Sequence, residues 1–186
     1  METYNEMNVF RYEDSEESVT NIKGPTIFLA GPTVRGHQPH LTSWRFEAIE
    51  LLKEKNFKGS VVVPEFTSKI ESDKGKEWIP LWEFNGLKRA DCILFWIPRT
   101  KDEIVDGKIQ TGLIALTTNF ELGYWIAKEM DKVAYGHPID AYRIGYCDIM
   151  WNTISENTRT INYTLEDTID NAILLADDCY HFNVNK

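Results

Sequence analysis

The stretch Thr117-Thr118-Asn119-Phe120-Glu121-Leu122-Gly123-Tyr124-Trp125 brings two threonine hydroxyls, an amide and a carboxylate together at the start of a helical pattern. An apolar strand pattern and a polar loop precede it. That order predicts Glu121 in the first turn of a helix, close to the carboxyl edge of a sheet. Open α/β sheets bind ligands along this edge, and a glutamate there is equipped to act as nucleophile or base. The same letters also read as a capping box, Thr118-x-x-Glu121, closing orphan N–H groups of the helix start.

The positioning elements follow from hydrophobic periodicity. Thr26 to Ala30 is a short apolar strand closed by Gly31-Pro32, and Ser43 to Lys55 carries apolar residues at helical spacing, capped by Thr42 or Ser43. Gly59 to Val63 is a β-branched strand stopped by Pro64. A charged loop, Thr67 to Lys76, leads to a helix from Ile79 to Arg89. Asp91 to Pro98 is the most apolar strand, and Arg99 to Gly112 a long loop of the kind that covers sites. The Glu121 helix runs to Met130, and Lys132 to Gly136 is a fourth strand. A helix over 140–152, a fifth strand over 158–163 and a closing helix over 165–179 complete the pattern. Such alternation implies one parallel sheet with right-handed crossovers and helices on both faces.

Four segments should therefore gather at the carboxyl edge. Gly31-Pro32-Thr33-Val34-Arg35 follows the first strand, where glycine lets backbone N–H groups approach a sugar or phosphate. It is not G-x-G-x-x-G, so no dinucleotide fingerprint is present. Glu83 lies inside the second helix, where a glutamate ordinarily pairs with a nearby cation. Glu121 with its Thr117, Thr118 and Asn119 is the third, and the loop from Gly136 to Asp140 the fourth. Trp82 reads as core, and so does at least one of Tyr124 and Trp125.

The totals narrow the classes. With 186 residues the chain suits a single domain, here read as a polar acidic extension over 1–24 and one domain over 25–186. Within the extension, Asn8 to Tyr12 is a candidate edge strand. A formal charge of −9 argues against binding the nucleic-acid backbone. No apolar run is long enough for a bilayer, and the acidic start lacks a signal-peptide layout, so a cytoplasmic location is expected. Three cysteines without a C-x-x-C pair fit a reducing compartment. His37-x-x-His40 has no third ligand nearby, so no metal site is expected.

Taken in order, several fragments resemble the nucleoside 2-deoxyribosyltransferase family, in its stand-alone bacterial and phage branch. They are Ile27 to Thr33, Ser43 to Ala48, Trp82-Glu83, Ala90 to Pro98 and Leu116 to Gly123, spread over roughly residues 26–150. The resemblance implies a flavodoxin-like (Rossmann-like) five-stranded sheet. It also implies homo-oligomers whose sites are completed by a neighbouring subunit. Glu121 matches the family nucleophile. Glu83 stands where an aspartate is usual, holding the sugar or protonating the leaving base. Asp140 matches an asparagine offered across the subunit interface. Phe28 departs from the pattern, since several relatives carry there a tyrosine whose hydroxyl contacts the nucleophile. Ala115 departs too, and its base-contacting duty would pass to Asp106 or Thr117.

The implied partners are deoxynucleosides, nucleobases and, with an arginine pocket at Arg35 or Arg143, nucleotides. The implied reaction is retaining transfer of a 2-deoxyribosyl group between bases, without metal or redox cofactor. Two rivals stand beside it: an N-glycosidase of nucleosides or their 5′-monophosphates, and a non-catalytic nucleotide-binding module on the same scaffold.

Overall fold

The structure is a computed structural model that describes residues 6–35, 38, 40–67 and 78–184. His37 and nearly all of the charged loop Thr67 to Lys76 lie outside the described residues.

Five parallel strands form the central sheet: β1 (Asn8–Phe10), β2 (Thr26–Ala30), β3 (Ser60–Val62), β4 (Cys92–Trp96) and β7 (Val133–Gly136), in the order β1-β3-β2-β4-β7. Every residue of β2, β3, β4 and β7 is buried, as expected of strands covered on both faces. The α/β, flavodoxin-like architecture agrees with the sequence reading.

The membership of the sheet does not. The stretch predicted as a fifth strand, 158–163, is reduced to one parallel bridge between Gly136 and Asn162. Asn162 exchanges backbone bonds with Tyr135 and His137 there, and the ladder stops. The fifth place is taken by β1, at the opposite edge, where Val9 pairs with Val61. Its half-buried Val9 and Phe10 pack against separate cores on either face of the sheet, which gives this short edge strand its hold.

The sheet divides the apolar interior. One layer holds α1 (Glu16–Thr20), α3 (Trp78–Arg89), α4 (Leu116–Glu129) and α5 (Gly145–Ile154), with Trp82, Trp125 and Trp151 buried. The other holds α2 (Trp44–Glu54) and α6 (Leu165–Val184). The chain leaves β2 to one side for β3 and crosses back to the other for β4. The carboxyl ends of β2 and β4 thus form the switch point where such sheets bind ligands.

Three boundaries correct the sequence reading. The helix over 140–152 begins only at Gly145, because residues 139–144 turn first, with Arg143 at positive φ. The loop over 99–112 contains a hairpin, β5 (Glu103–Val105) with β6 (Lys108–Gln110). Its turn, Asp106-Gly107, takes the positive φ values of 49° and 74° that an Asp-Gly pair accommodates. The third concerns Glu121: α4 starts five residues earlier than the carboxylate. Ala115, in the left-handed region at φ 61°, stands at its N-cap without a side-chain bond. The capping box is therefore absent. Thr118 lies inside the helix and is buried in the core stripe with Leu122 and Trp125.

Candidate active site

Glu83 and Glu121 are each the sixth residue of their helix, α3 and α4 respectively, and both helices start at the carboxyl edge. Equal depth on neighbouring helices brings the two half-buried acids within electrostatic reach. Glu121 is raised to about 7, first by burial and then by the charge of Glu83, with Arg45 opposing. Glu83 is also raised by burial, against the lowering effects of the Tyr12 hydroxyl, Arg45 and Arg35. The more strongly raised Glu121 is the acid that keeps a proton near neutral pH.

Arg45 is the cation of this site, and its position follows from α2. Residues 45, 48, 49 and 52 form the buried stripe of that helix, so its guanidinium is forced inward. It is only 1% exposed and forms a 2.7 Å ion pair with Glu65, just past β3. It also donates to the carbonyls of Leu29, Gly31 and Pro32 at the end of β2. Ser43 caps α2 and donates to both oxygens of Glu65, completing the shell. A buried guanidinium with carboxylate and carbonyl partners on several sides is fixed in place.

Gly31 makes this packing possible. A Cβ there would stand 2.3 Å from the Trp96 carbonyl, so only glycine lets the ends of β2 and β4 approach so closely. The carbonyls of Gly31 and Pro32 and the Thr33 hydroxyl face Arg45. Arg35, exposed on the same loop, acts electrostatically on Glu83.

The remaining residues singled out from the sequence are dispersed. Thr117 is exposed one turn before Glu121, on the same helical face. Asn119 is engaged elsewhere: its side-chain oxygen accepts from Arg99, a buried guanidinium that also donates to the Arg143 carbonyl. Asp140 is exposed on the turn after β7, and the charges acting on Glu121 are those of Glu83 and Arg45. Asp106 lies at the tip of the exposed hairpin.

Sequence reasoning missed Arg45, Glu65 and Tyr12. Arg45 did leave a signal, an arginine on an apolar helical stripe, which demands a buried acid. Glu65 and Tyr12 left none, since their approach depends on how β1 and β3 pair.

Cavity size points elsewhere. A cavity of about 680 Å³ opens at the amino edge between the ends of α3, α4 and α6. Much of its charged lining is already paired, Lys128 and Lys132 with Glu129, Arg89 with Asp91, and Asp131 with Arg159 outside the cavity. Asp91 in its lining is raised by burial, but the switch point carries Glu121, the carboxyl raised furthest, beside a second raised acid.

A flavodoxin-like sheet with two coupled carboxylates at its switch point defines an α/β protein equipped for acid or nucleophilic chemistry. Residues 24–138, more than half of the chain, match the family described as nucleoside 2-deoxyribosyltransferase-like. The chain belongs to that family. No curated protein matches it. Among the described residues, no helix is long and apolar enough to cross a membrane.

Proposed function

We propose that the protein transfers a 2-deoxyribosyl group between nucleobases with retained configuration, through a covalent ester on Glu121. The observation that carries this reading is the coupled pair Glu83 and Glu121 beside a fixed guanidinium. As the N-glycosidic bond breaks, its electron pair leaves with the base nitrogen, and a Glu121 oxygen closes on C1′ of the oxocarbenium-like sugar. A ring nitrogen of a second base then attacks C1′ from the opposite side and expels the carboxylate, and the N–H proton this base gives up matches the one the departed base takes on. Two inversions give net retention. A sugar without a 2′-hydroxyl forms the cation more readily, which suits a deoxyriboside. Incubation with deoxyinosine and free adenine tests the reading. New deoxyadenosine supports transfer, whereas only hypoxanthine and free deoxyribose would replace it with hydrolysis.

One observation favours a second reading, cleavage of deoxynucleoside 5′-monophosphates by water. Arg35 projects an exposed cation within reach of Glu83, where a 5′-phosphate would find a partner. Release of deoxyribose 5-phosphate from a monophosphate, with no base exchange, would establish it.

The site is proposed to be closed by a second copy of this chain. Leu116 and Phe120, 74% and 79% exposed, and Tyr124 form an apolar stripe on the outer face of α4, beside Glu121. Asp140 is then free to reach a neighbour's site. Sedimentation that finds only monomers at assay concentration would reject this arrangement.

A further inference from the structure

The N-terminal segment reaches into the site from outside the family match. After β1, Tyr12 turns inward and stacks edge-on against Trp82, with ring centroids 5.1 Å apart, and tilted on Phe66 at 4.9 Å. Its hydroxyl donates to Oε1 of Glu83. The segment is tied down around this contact. Arg11 N–H bonds Asp14, Trp82 donates to the Asp14 carbonyl, Asn85 donates to Glu16, and Arg89 donates to the Ile22 carbonyl. Tyr12 is thus placed by several independent bonds along α3, all from residues upstream of position 24, where the family match begins.

The direction of this bond constrains Glu83. Burial and the neighbouring carboxylate push the Tyr12 hydroxyl far above its usual range, so it stays protonated and remains a donor. A donor bonded to a carboxylate favours the ionised form. An ionised Glu83 has acceptor capacity left for a sugar hydroxyl but no proton for a leaving base.

We propose that Tyr12 is a positioning residue, supplied by the N-terminal segment, that holds Glu83 as an ionised acceptor for a hydroxyl of the bound sugar. This rests on the glycosyl-transfer reading above. Phe28 carries no hydroxyl, and its ring lies under α3 against Gly86. The hydroxyl on this side of the site therefore comes from the turn after β1.

Tyr12→Phe removes the hydroxyl and leaves the ring packing. The first measurement is a carbon-13 carboxyl titration of glutamate-labelled protein, with the Glu83 signal assigned by its loss in Glu83→Gln. The groups facing Glu83 are Tyr12 from the N-terminal segment, Glu121 from α4, Arg45 from α2 and Arg35 from the loop after β2. All but the hydroxyl are common to both proteins. The expected result is a Glu83 midpoint at higher pH in Tyr12→Phe, with an unchanged thermal midpoint. The second measurement is kcat/KM for base exchange, expected to fall about 10- to 100-fold in Tyr12→Phe. The same change on a Glu83→Gln background should have little further effect. An unmoved Glu83 midpoint in folded Tyr12→Phe, or an equal loss on both backgrounds, overturns the proposal. The titration needs no turnover, so an inactive wild-type protein would remove the transferase reading while the Tyr12–Glu83 link is judged separately.

Discussion

The charge on Glu83 raises the proton affinity of Glu121, although the two acids lie on different helices and neither has a lysine or arginine as its own ion-pair partner among the described residues. The cation that offsets them, Arg45, is bonded to Glu65 and to backbone carbonyls instead. Three carboxylates thus share one buried guanidinium at the switch point. The protonation of Glu83 and Glu121 is set jointly, and the predictions below turn on that coupling.

Removing the nucleophile should cost more than removing its neighbour. Glu83→Gln is expected to lower the exchange rate by about 10- to 100-fold, the loss of a hydrogen bond to a charged group, and Glu121→Ala by more, because the covalent route goes with it. Initial rates on one deoxynucleoside decide the order; equal residual rates would contradict the assignment.

The pH profile of kcat/KM should rise through about 7 as Glu121 loses its proton. Glu83→Gln removes a negative neighbour and should move this acid limb to lower pH. Arg45→Met removes a positive one and should move it higher. Opposite displacements in the two variants are the diagnostic result.

Stability should fall as pH rises across the same window. The folded protein holds a proton on Glu121 from the ordinary 4.5 up to about 7, where the unfolded chain has lost it. Unfolding is therefore opposed more strongly at pH 5 than at pH 8, by about 3 kcal/mol at most from this group. Glu121→Gln should be more stable than wild type at pH 8 and nearly equal at pH 4. Urea midpoints at the two pH values test this.

Arg45→Met should also unfold more readily, by about 3–5 kcal/mol, because Glu65 would keep its buried charge without a partner. Replacing both residues, Arg45→Met with Glu65→Met, should recover much of that loss. Denaturant titrations of the single and double variants supply the comparison.

Two glycines should respond oppositely to alanine. At Gly31 the added carbon would meet the Trp96 carbonyl at 2.3 Å, which predicts a loss of about 2 kcal/mol or more. Gly123, in the middle of α4, has open space around it, and Gly123→Ala should gain about 0.5–1 kcal/mol. Thermal midpoints measure both.

Much of the sheet was legible because buried strands announce themselves as apolar runs between turn residues. Thr26 to Ala30 and Asp91 to Trp96 are such runs, and both acids were found from the helices beside them. The start of α4 was not legible. Thr118 and Glu121 satisfy a capping pattern, yet burial of Thr118 with Leu122 and Trp125 outweighed it, and the helix began with an unusual Ala115. The edge strand at 158–163 failed for a related reason, since one bridge at Asn162 satisfies its neighbour without a ladder. Asp106-Gly107 carries a hairpin signal inside a stretch whose charge and glycine content otherwise spell loop. Arg45 left its signal on the apolar stripe of α2, but its partner Glu65 is twenty positions away and meets it only once β3 lies beside β2.

The acids hang from one side of the sheet and the guanidinium is rooted in the other. A form in which α2 and α6 have come away would still display both carboxylates, yet without their counter-charge. Base exchange is therefore expected to be a stringent gauge of intact architecture, since the proposed site needs both faces of the sheet in place.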